Sequence, residues 1–451
     1  MLLAVDHVNQ VEALMLVVLQ QLVVMIAAAR LGGWFFRKLG QPTVVGEIAA
    51  GLILGPSVVG RLFPGFIPAF FPTDVTPIFQ TLGQLGLIFL MFLIGMEFDF
   101  GHLRKMGRTA GMIGASGIAL PFAGALALGW WMQPLVAMEI PRYGFALFMA
   151  TACSVTAIPI LGRIMIEFGI NRTRLGALTI SAAAMVDALI WIMLATVAAI
   201  VRGNLDLGSV AAMLGLTIGL VAVVLFVIRP LVVAWIARLL PTEESSLNVT
   251  SLALWILVIF AMAMITNWIG IFSIIGPFLL GAALHDQHRF REAFAGKTQD
   301  FVYSLLLPVF FTYTGLRTDI GTLNTPLLWA LCGLVCLVAI GGKIIGCGAA
   351  ARLGGLSWPE SGCVAIMMNT RALMGLIAIN VGREMGVIPP SVFCMLIIMA
   401  VLTTFMTSPI LRRLLPLIPA EDLGQQSSRE ETIAENGAID GPIPVPHTTL
   451  K

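Results

Sequence analysis

The chain reads as an all-α, polytopic membrane protein, and three observations predict that class. Hydrophobic residues make up 58% of its 451 residues and charged residues only 11%, against roughly 25% charged in a water-soluble domain. Long apolar runs recur along it, divided by short charged or Pro/Gly loops. Lysine and arginine concentrate in every second loop. That much apolar surface cannot be hidden inside one water-soluble globule. With lipid as the solvent and about 20 residues per crossing, there is room for roughly a dozen helices. The net charge of +2 carries no sign of a nucleic-acid partner.

Thirteen crossings are expected, at about 11–32, 42–57, 79–97, 109–132, 143–167, 174–201, 208–237, 247–267, 269–285, 300–316, 326–352, 361–383 and 391–414. The second and ninth are short, and the eighth and ninth are nearly continuous. With the N-terminus outside, the inside loops carry Arg30, Arg37 and Lys38; Arg104, Lys105 and Arg108; Arg163, Arg172 and Arg174; Arg238; Arg289, Arg291 and Lys297; Arg352; and Arg412 and Arg413. The outside loops carry at most one each: Arg61, Arg142, Arg202, Arg317 and Arg383. This is the positive-inside bias, and an odd number of crossings leaves the C-terminus in the cytoplasm.

The transmembrane domain is expected over 1–415 and a disordered cytoplasmic tail over 416–451, where the chain turns polar and acidic. The tail is too short for a nucleotide-binding regulatory domain. Residues 1–10 lack the basic stretch of a cleaved signal peptide, so the first apolar helix is read as a retained crossing. Cys153, Cys332, Cys336, Cys347, Cys363 and Cys394 all fall in apolar runs. They fit small packing residues, not a disulfide framework or a zinc site.

An internal repeat is visible. Gly95, Asp99, Gly101 and Leu103 share the spacing G-x-x-x-D-x-G-x-L with Gly315, Asp319, Gly321 and Leu323. One helix earlier, Gly46 and Gly51 in VVGEIAAGLILGP resemble Gly276 and Gly281 in SIIGPFLLGAAL. Seven crossings separate the copies, so they lie in opposite orientations. Inverted repeats are the architecture of secondary transporters, with the binding site near the midplane. The same offset pairs the fifth crossing with the twelfth, and both are interrupted. The fifth contains Thr151, Ser154, Thr156 and Pro159; the twelfth contains Asn369, Thr370 and Arg371. Paired interruptions point to broken helices whose freed backbone groups line an ion site. Ser154, Thr156, Asn369 and Thr370 are its candidate ligands.

Few ionisable residues fall within the crossings: Glu47, Asp187, Lys343 and Arg371, with Arg229 nearer a cytoplasmic end. A charge at that depth costs several kcal/mol and marks an ion or proton path by default. Asp187 is the only acid in its helix and lies near the middle. A carboxylate removed from water holds its proton more tightly, so it can trade that proton for a metal cation near physiological pH. Two ligands competing for one group is the minimum machinery of antiport. The alternative for Asp187 is a structural salt bridge to Lys343, its natural counter-ion, whose neighbours Gly341, Gly342 and Gly346 allow close helix approach. Arg371 stays charged and must be paired or bonded to carbonyls. A structural role is expected for it, with Glu47 as partner. His102, His285 and His288 sit at helix ends, either as solvated loop residues or as pH sensors. No resident-metal cluster, phosphate loop or nucleophile–base spacing is present, so neither an enzyme nor a cofactor is expected.

The segments GEIAAGLILGP (46–56), LGLIFLMFLIGMEFD (85–99), LPVFFTYTGLRTDI (307–320) and MNTRALMGLIAINVG (368–382) resemble the second subfamily of monovalent cation:proton antiporters. That group holds Na⁺/H⁺ exchangers, Kef-type K⁺ efflux proteins and plant cation/H⁺ exchangers. The likeness runs from about 30 to 415, and FFTYTGLRTDI and MNTR are similar to the branch with plant and fungal K⁺/H⁺ exchangers. The resemblance implies a core domain with two crossed, broken helices and a separate dimerisation domain. It also implies a homodimer in the plasma membrane, elevator-like movement of the core, and exchange of Na⁺ or K⁺ for H⁺. By position it makes Asp187 the cation-binding aspartate and Lys343 the core's basic residue. Thr156 and Pro159 fall on the first broken helix, and Asn369, Thr370 and Arg371 on the second. Two positions depart from the family. Val186 stands where a second polar residue usually precedes the aspartate, and Gly375 where an acid commonly follows MNTR. One carboxylate instead of two favours electroneutral one-for-one exchange. An uncoupled channel or carrier, and an organic-cation/proton antiporter, are the alternative readings.

Overall fold

A computed structural model describes residues 2–65, 70–71, 75–97, 107–170, 173–202, 207–239, 247–269 and 272–419. Among them the regular structure is helical, as lipid requires, because a helix satisfies its backbone within one segment. The chain enters through α1 (Leu2–Lys38), α2 (Thr43–Leu54), α3 (Thr76–Glu97) and α4 (Arg108–Val136). The first broken crossing follows as α5 (Arg142–Ser154) and α6 (Ile158–Glu167), then α7 (Arg174–Arg202). Next, α8 (Leu207–Val223) runs through a π turn into α9 (Arg229–Leu239), followed by α10 (Val249–Ile269) and α11 (Ile275–Ala283). Helix α12 (His288–Phe301) runs through a second π turn into α13 (Leu307–Leu316), and α14 (Pro326–Leu353) follows. The second broken crossing is α15 (Trp358–Met368) with α16 (Ala372–Glu384), and α17 (Pro390–Leu414) closes the bundle.

Each of the thirteen expected segments coincides with helix. Length and apolarity nevertheless support ten membrane spans among the described residues, not thirteen. The shortfall has physical causes. The α5–α6 crossing is split into two short halves, and α11 has only 9 residues. The α12–α13 rod begins in the polar run HRFREAFAGKTQD, twelve residues before the expected start at 300. The first half of the Asp-x-Gly-x-Leu repeat, with His102, and the tail from 420 onward lie outside the described residues.

Two groups of helices pack mainly within themselves. In one, α4 lies along α14, and α5, α7, α15, α16 and α17 pack around that pair. In the other, α1, α2, α3, α11 and α13 pack together. The glycines of the repeat hold the second group. A Cβ on Gly51 would strike the Thr312 carbonyl and Gly315, and one on Gly315 would strike the Ile48 carbonyl and Gly51. Likewise a Cβ on Gly281 would strike the Phe92 carbonyl and Gly95, and one on Gly95 would strike the Phe278 carbonyl and Gly281. The α2–α13 contact is thus repeated, residue for residue, in α11–α3. The inverted repeat maps one pair onto the other.

Candidate functional site

Both breaks occur where the polar interruptions fall. Helix α5 stops at Ser154 and α6 starts at Ile158, with Pro159 as its second residue. Helix α15 stops at Met368 and α16 starts at Ala372. The two gaps cross and bond to each other. The Ala157 amide donates to the Thr370 carbonyl (2.8 Å) and the Thr156 hydroxyl to the Met368 carbonyl (3.1 Å). A break exposes unpaired carbonyls at the end of one half-helix and unpaired amides at the start of the next, so each gap carries partial negative and positive charge.

Every charge at the crossing sits against the matching helix end. Lys343 on α14, fully buried, donates from Nζ to Thr156 Oγ1 (2.7 Å), the hydroxyl that caps the end of α15. Arg371, also fully buried, donates from Nε to the Val155 carbonyl at the end of α5 (3.3 Å). Its Nη2 donates to the Ala339 carbonyl of α14 (2.7 Å) and its Nη1 lies on the Met399 sulfur of α17 (3.1 Å). Asp187 on α7 is 3% exposed and faces the amide of Ile158, the first residue of α6. The acid meets an amide end, Arg371 meets a carbonyl end, and Lys343 reaches the other carbonyl end through the Thr156 hydroxyl.

The remaining predicted residues divide. Ser154 Oγ donates to Ala150 within its own helix (2.7 Å). Thr370 Oγ1 lies 3.3 Å from Thr407 Oγ1 on α17. The Asn369 side chain is fully buried at the crossing, and its Oδ1 has no hydrogen-bond partner among the described residues. One expected pairing is electrostatic without a direct bond, and one is not formed. Lys343 bonds Thr156 and makes no direct salt bridge with Asp187, although the two charges attract each other across the site. Arg371 spends its donors on carbonyls and a sulfur, and Glu47 is not among its partners. Glu47 instead sits on α2 beside a separate cavity. The missing acid at Gly375 has a place in this picture: a Cβ there would lie 3.4 Å from Arg371 Cβ. All six cysteines are free and buried. His285 Nδ1 lies 3.0 Å from the Ala282 carbonyl at the end of α11.

Sequence reasoning placed α17 but missed the role of its hydroxyls. Thr404 Oγ1 accepts from the amides of Arg371 (3.3 Å) and Ala372 (3.0 Å), capping α16, and Thr407 Oγ1 donates to the Ile366 carbonyl of α15 (3.4 Å). The signal was present: Thr403, Thr404 and Thr407 are buried polar residues at helical spacing in an apolar helix. The surface pair Arg229–Asp286 (2.7 Å) was missed as well.

Among the described residues, cavities lie on both sides of the crossing, one of about 220 Å³ between α1, α3 and α13 sharing Phe79, Tyr313 and Arg317 with the smallest. One of about 300 Å³ lies at the end of the bundle that bears Arg30 and Arg37, and it reaches Ile160 and Leu373 in the first turns of α6 and α16. At the opposite end a cavity of only about 40 Å³ lies between α3, α13 and α16. Gln84 on α3 donates to Glu384 on α16 there (3.1 Å), and Asn380 on α16 donates to Thr314 on α13 (3.2 Å).

A family model described as the transmembrane sodium/hydrogen exchanger matches residues 26–415. The Na(+)/H(+) antiporter NhaS4 of Synechocystis sp. is 38% identical over 407 residues, covering 89% of this chain and 98% of that protein. Cation/H(+) antiporter 19 of Arabidopsis thaliana is 34% identical over 88% of this chain, which spans about half (49%) of that longer protein. Among solved structures, the sodium proton antiporter MjNhaP1 of Methanocaldococcus jannaschii superposes with a TM-score of 0.57 at 17% identity, covering 86% of this chain and 93% of its own.

Proposed function

This chain belongs to the transmembrane sodium/hydrogen exchanger family, and from that premise we propose that it exchanges one monovalent cation, Na⁺ or K⁺, for one proton at Asp187. The observation that carries the proposal is the buried Asp187 carboxylate set against the start of α6, beside the crossing of two broken helices. The partnerless Asn369 Oδ1 at the same crossing supports a site that still has an oxygen to offer. Alkali cations take oxygen ligands, and carbonyls, amides and hydroxyls freed by broken helices supply them. Ser154, Thr156 and Thr370 bring hydroxyls to the crossing. Lys343 and Arg371 hold the two gaps open by neutralising their carbonyl ends.

The exchange is electroneutral on this reading. Asp187 carries either a proton or a cation, so the charge of the site is the same in both loaded states. Val186 contributes no second acid to add another charge. The chain works as a homodimer in the plasma membrane with its N-terminus outside. The basic residues gathered at one end of the bundle support that orientation.

The test is cation-induced proton movement in proteoliposomes. An imposed pH gradient, read with a pH dye, is challenged with Na⁺, K⁺ or Li⁺ for wild type and Asp187→Asn. One cation is expected to collapse the gradient in wild type and none in the variant. A variant as active as wild type, or a wild type that answers no alkali cation, overturns the mechanism. Monodisperse elution of the variant in detergent guards against misfolding.

A further inference from the structure

Helix α1 buries a glutamine in an apolar stripe. Val18, Gln21 and Met25 follow one another at helical spacing, and Val18 and Met25 pack with Phe79, Val309 and Tyr313. Gln21 is 2% exposed, and its Nε2 has no hydrogen-bond partner among the described residues. A leucine would fit that stripe without leaving a buried donor unmet. The glutamine lines the cavity of about 220 Å³ between α1, α3 and α13, with Thr76, Phe79, Tyr313, Leu316 and Arg317. Among the described residues that line it, only Arg317 is charged. The Tyr313 hydroxyl is spent on the Thr76 carbonyl (3.4 Å). The Arg317 guanidinium lies over the Tyr313 ring, 5.6 Å from its centroid. Glu384 attracts it from the adjoining narrow space but takes its hydrogen bond from Gln84. A guanidinium has five donors and no acceptor. With the Gln21 amide in the same cavity, the missing partner is an acceptor, and beside a cation an anionic one.

The cavity is too large for one bridging water, which needs only about 10–15 Å³ by the same measure. Its depth says which anion it meets. Gln21 lies on α1 about 25 Å from Lys38, at 1.5 Å per residue, and the hydrocarbon core is about 30 Å thick. With Arg37 and Lys38 at one membrane surface, Gln21 approaches the headgroup level of the opposite leaflet. Beside it Leu16, Leu19 and Val23 are exposed, as residues facing lipid are. We propose that this cavity holds the phosphate of an anionic phospholipid from that leaflet. Arg317 and Gln21 Nε2 donate to its oxygens, and its acyl chains lie on the exposed side of α1. A headgroup so held ties α1 to α3 and α13. The inference needs α1 to span the membrane, and it is independent of the exchange reading above.

The experiment uses the purified full chain in detergent. Lipid binding is read by native mass spectrometry, with the unfolding temperature as a second readout. The probes are dioctanoyl phosphatidylglycerol, dioctanoylglycerol, which lacks the phosphate, and inorganic phosphate. Phosphatidylglycerol is expected to bind and to raise the unfolding temperature, and the other two to do neither. Arg317→Gln and Gln21→Leu are each expected to weaken phosphatidylglycerol binding about tenfold, the loss of one charge-assisted contact. Without lipid, Gln21→Leu should unfold at or above the wild-type temperature, because leucine removes the unmet donor. A fall there would mean that the amide bonds within the protein, and it overturns the inference. So does unchanged binding in both variants, or dioctanoylglycerol that binds as tightly as phosphatidylglycerol. Inorganic phosphate that protects as fully assigns the cavity to a free anion and overturns the lipid. Should Arg317→Gln fail to fold, Arg317→Lys decides: it keeps the charge and loses the fork, and binding as tight as wild type would overturn the role of Arg317.

Discussion

Two of the largest fully buried side chains in the bundle, Arg371 and Lys343, are cationic. An unpaired ammonium or guanidinium in that position would be prohibitive. Neither is unpaired. Lys343 bonds the Thr156 hydroxyl that caps α15 and attracts Asp187, and Arg371 bonds the carbonyl end of α5, which is open only because that helix stops short. Arg371→Met should leave the Val155 carbonyl at the open end of α5 unmet, at about 1–3 kcal/mol for a buried group. A lower unfolding temperature in detergent is the expected reading. Arg371→Lys should not restore it, since a single ammonium cannot reproduce a fork that reaches α5, α14 and α17 together. Full recovery with lysine would mean that charge alone, without the geometry, holds the crossing.

The broken helices were readable from sequence for the same reason. Ser, Thr, Asn and Arg in the middle of two apolar runs have no place in lipid unless backbone is open to meet them. What they bond to was not readable. Thr404 lies 33 residues from Arg371 and Ala339 lies 32, and those partnerships exist only after α14, α16 and α17 have assembled. The expected Arg371–Glu47 pair failed on this point, and Lys343 attracts Asp187 without bonding it directly. Pairing opposite charges by type ignores the helix ends, which carry charge without any ionisable residue.

At the scale of helices, the inverted repeat makes a prediction about pairs. Gly51 and Gly281 occupy equivalent places, each pressed against the backbone of its partner helix, which cannot move aside as a flexible side chain would. Gly51→Ala and Gly281→Ala should each destabilise the protein, by about 1–3 kcal/mol for forced overpacking. The two losses should be similar in size, read as paired falls in thermal midpoint. Gly162, around which nothing lies within 4 Å, is the matching control, and its alanine variant should be close to wild type. Losses that differ widely between Gly51 and Gly281 would count against equivalence of the two halves. The spacing of these glycines was visible in the sequence, as was their opposite orientation. The swap that sets α2 on α13 and α11 on α3 was not, because spacing alone does not say which copy a helix packs against.

For the molecule as a whole, the cavities at the two ends differ in a way that bears on movement. The end bearing Arg37 is hollow as far as the first turns of α6 and α16, and at the opposite end the space between α3, α13 and α16 is only about 40 Å³. The narrow space is also where hydrogen bonds pass between the two helix groups, from Gln84 to Glu384 and from Asn380 to Thr314. If exchange exposes Asp187 to each side in turn, the group containing α16 must shift against α3 and α13, and both bonds must break in every cycle. Their cost is small, about 0.5–1.5 kcal/mol for each neutral bond and up to about 3 where a charge takes part. They can therefore bias the resting state without locking it. A covalent bond in the same place would lock it. In the double variant Gln84→Cys, Glu384→Cys, a thiol-bridging reagent should arrest cation-driven proton movement in vesicles, and a reductant should restore it. Each single variant treated identically should keep its activity. Exchange that continues in the bridged protein would show that α3 and α16 hold their places through the cycle, and the path to the far side would then have to open elsewhere in the bundle.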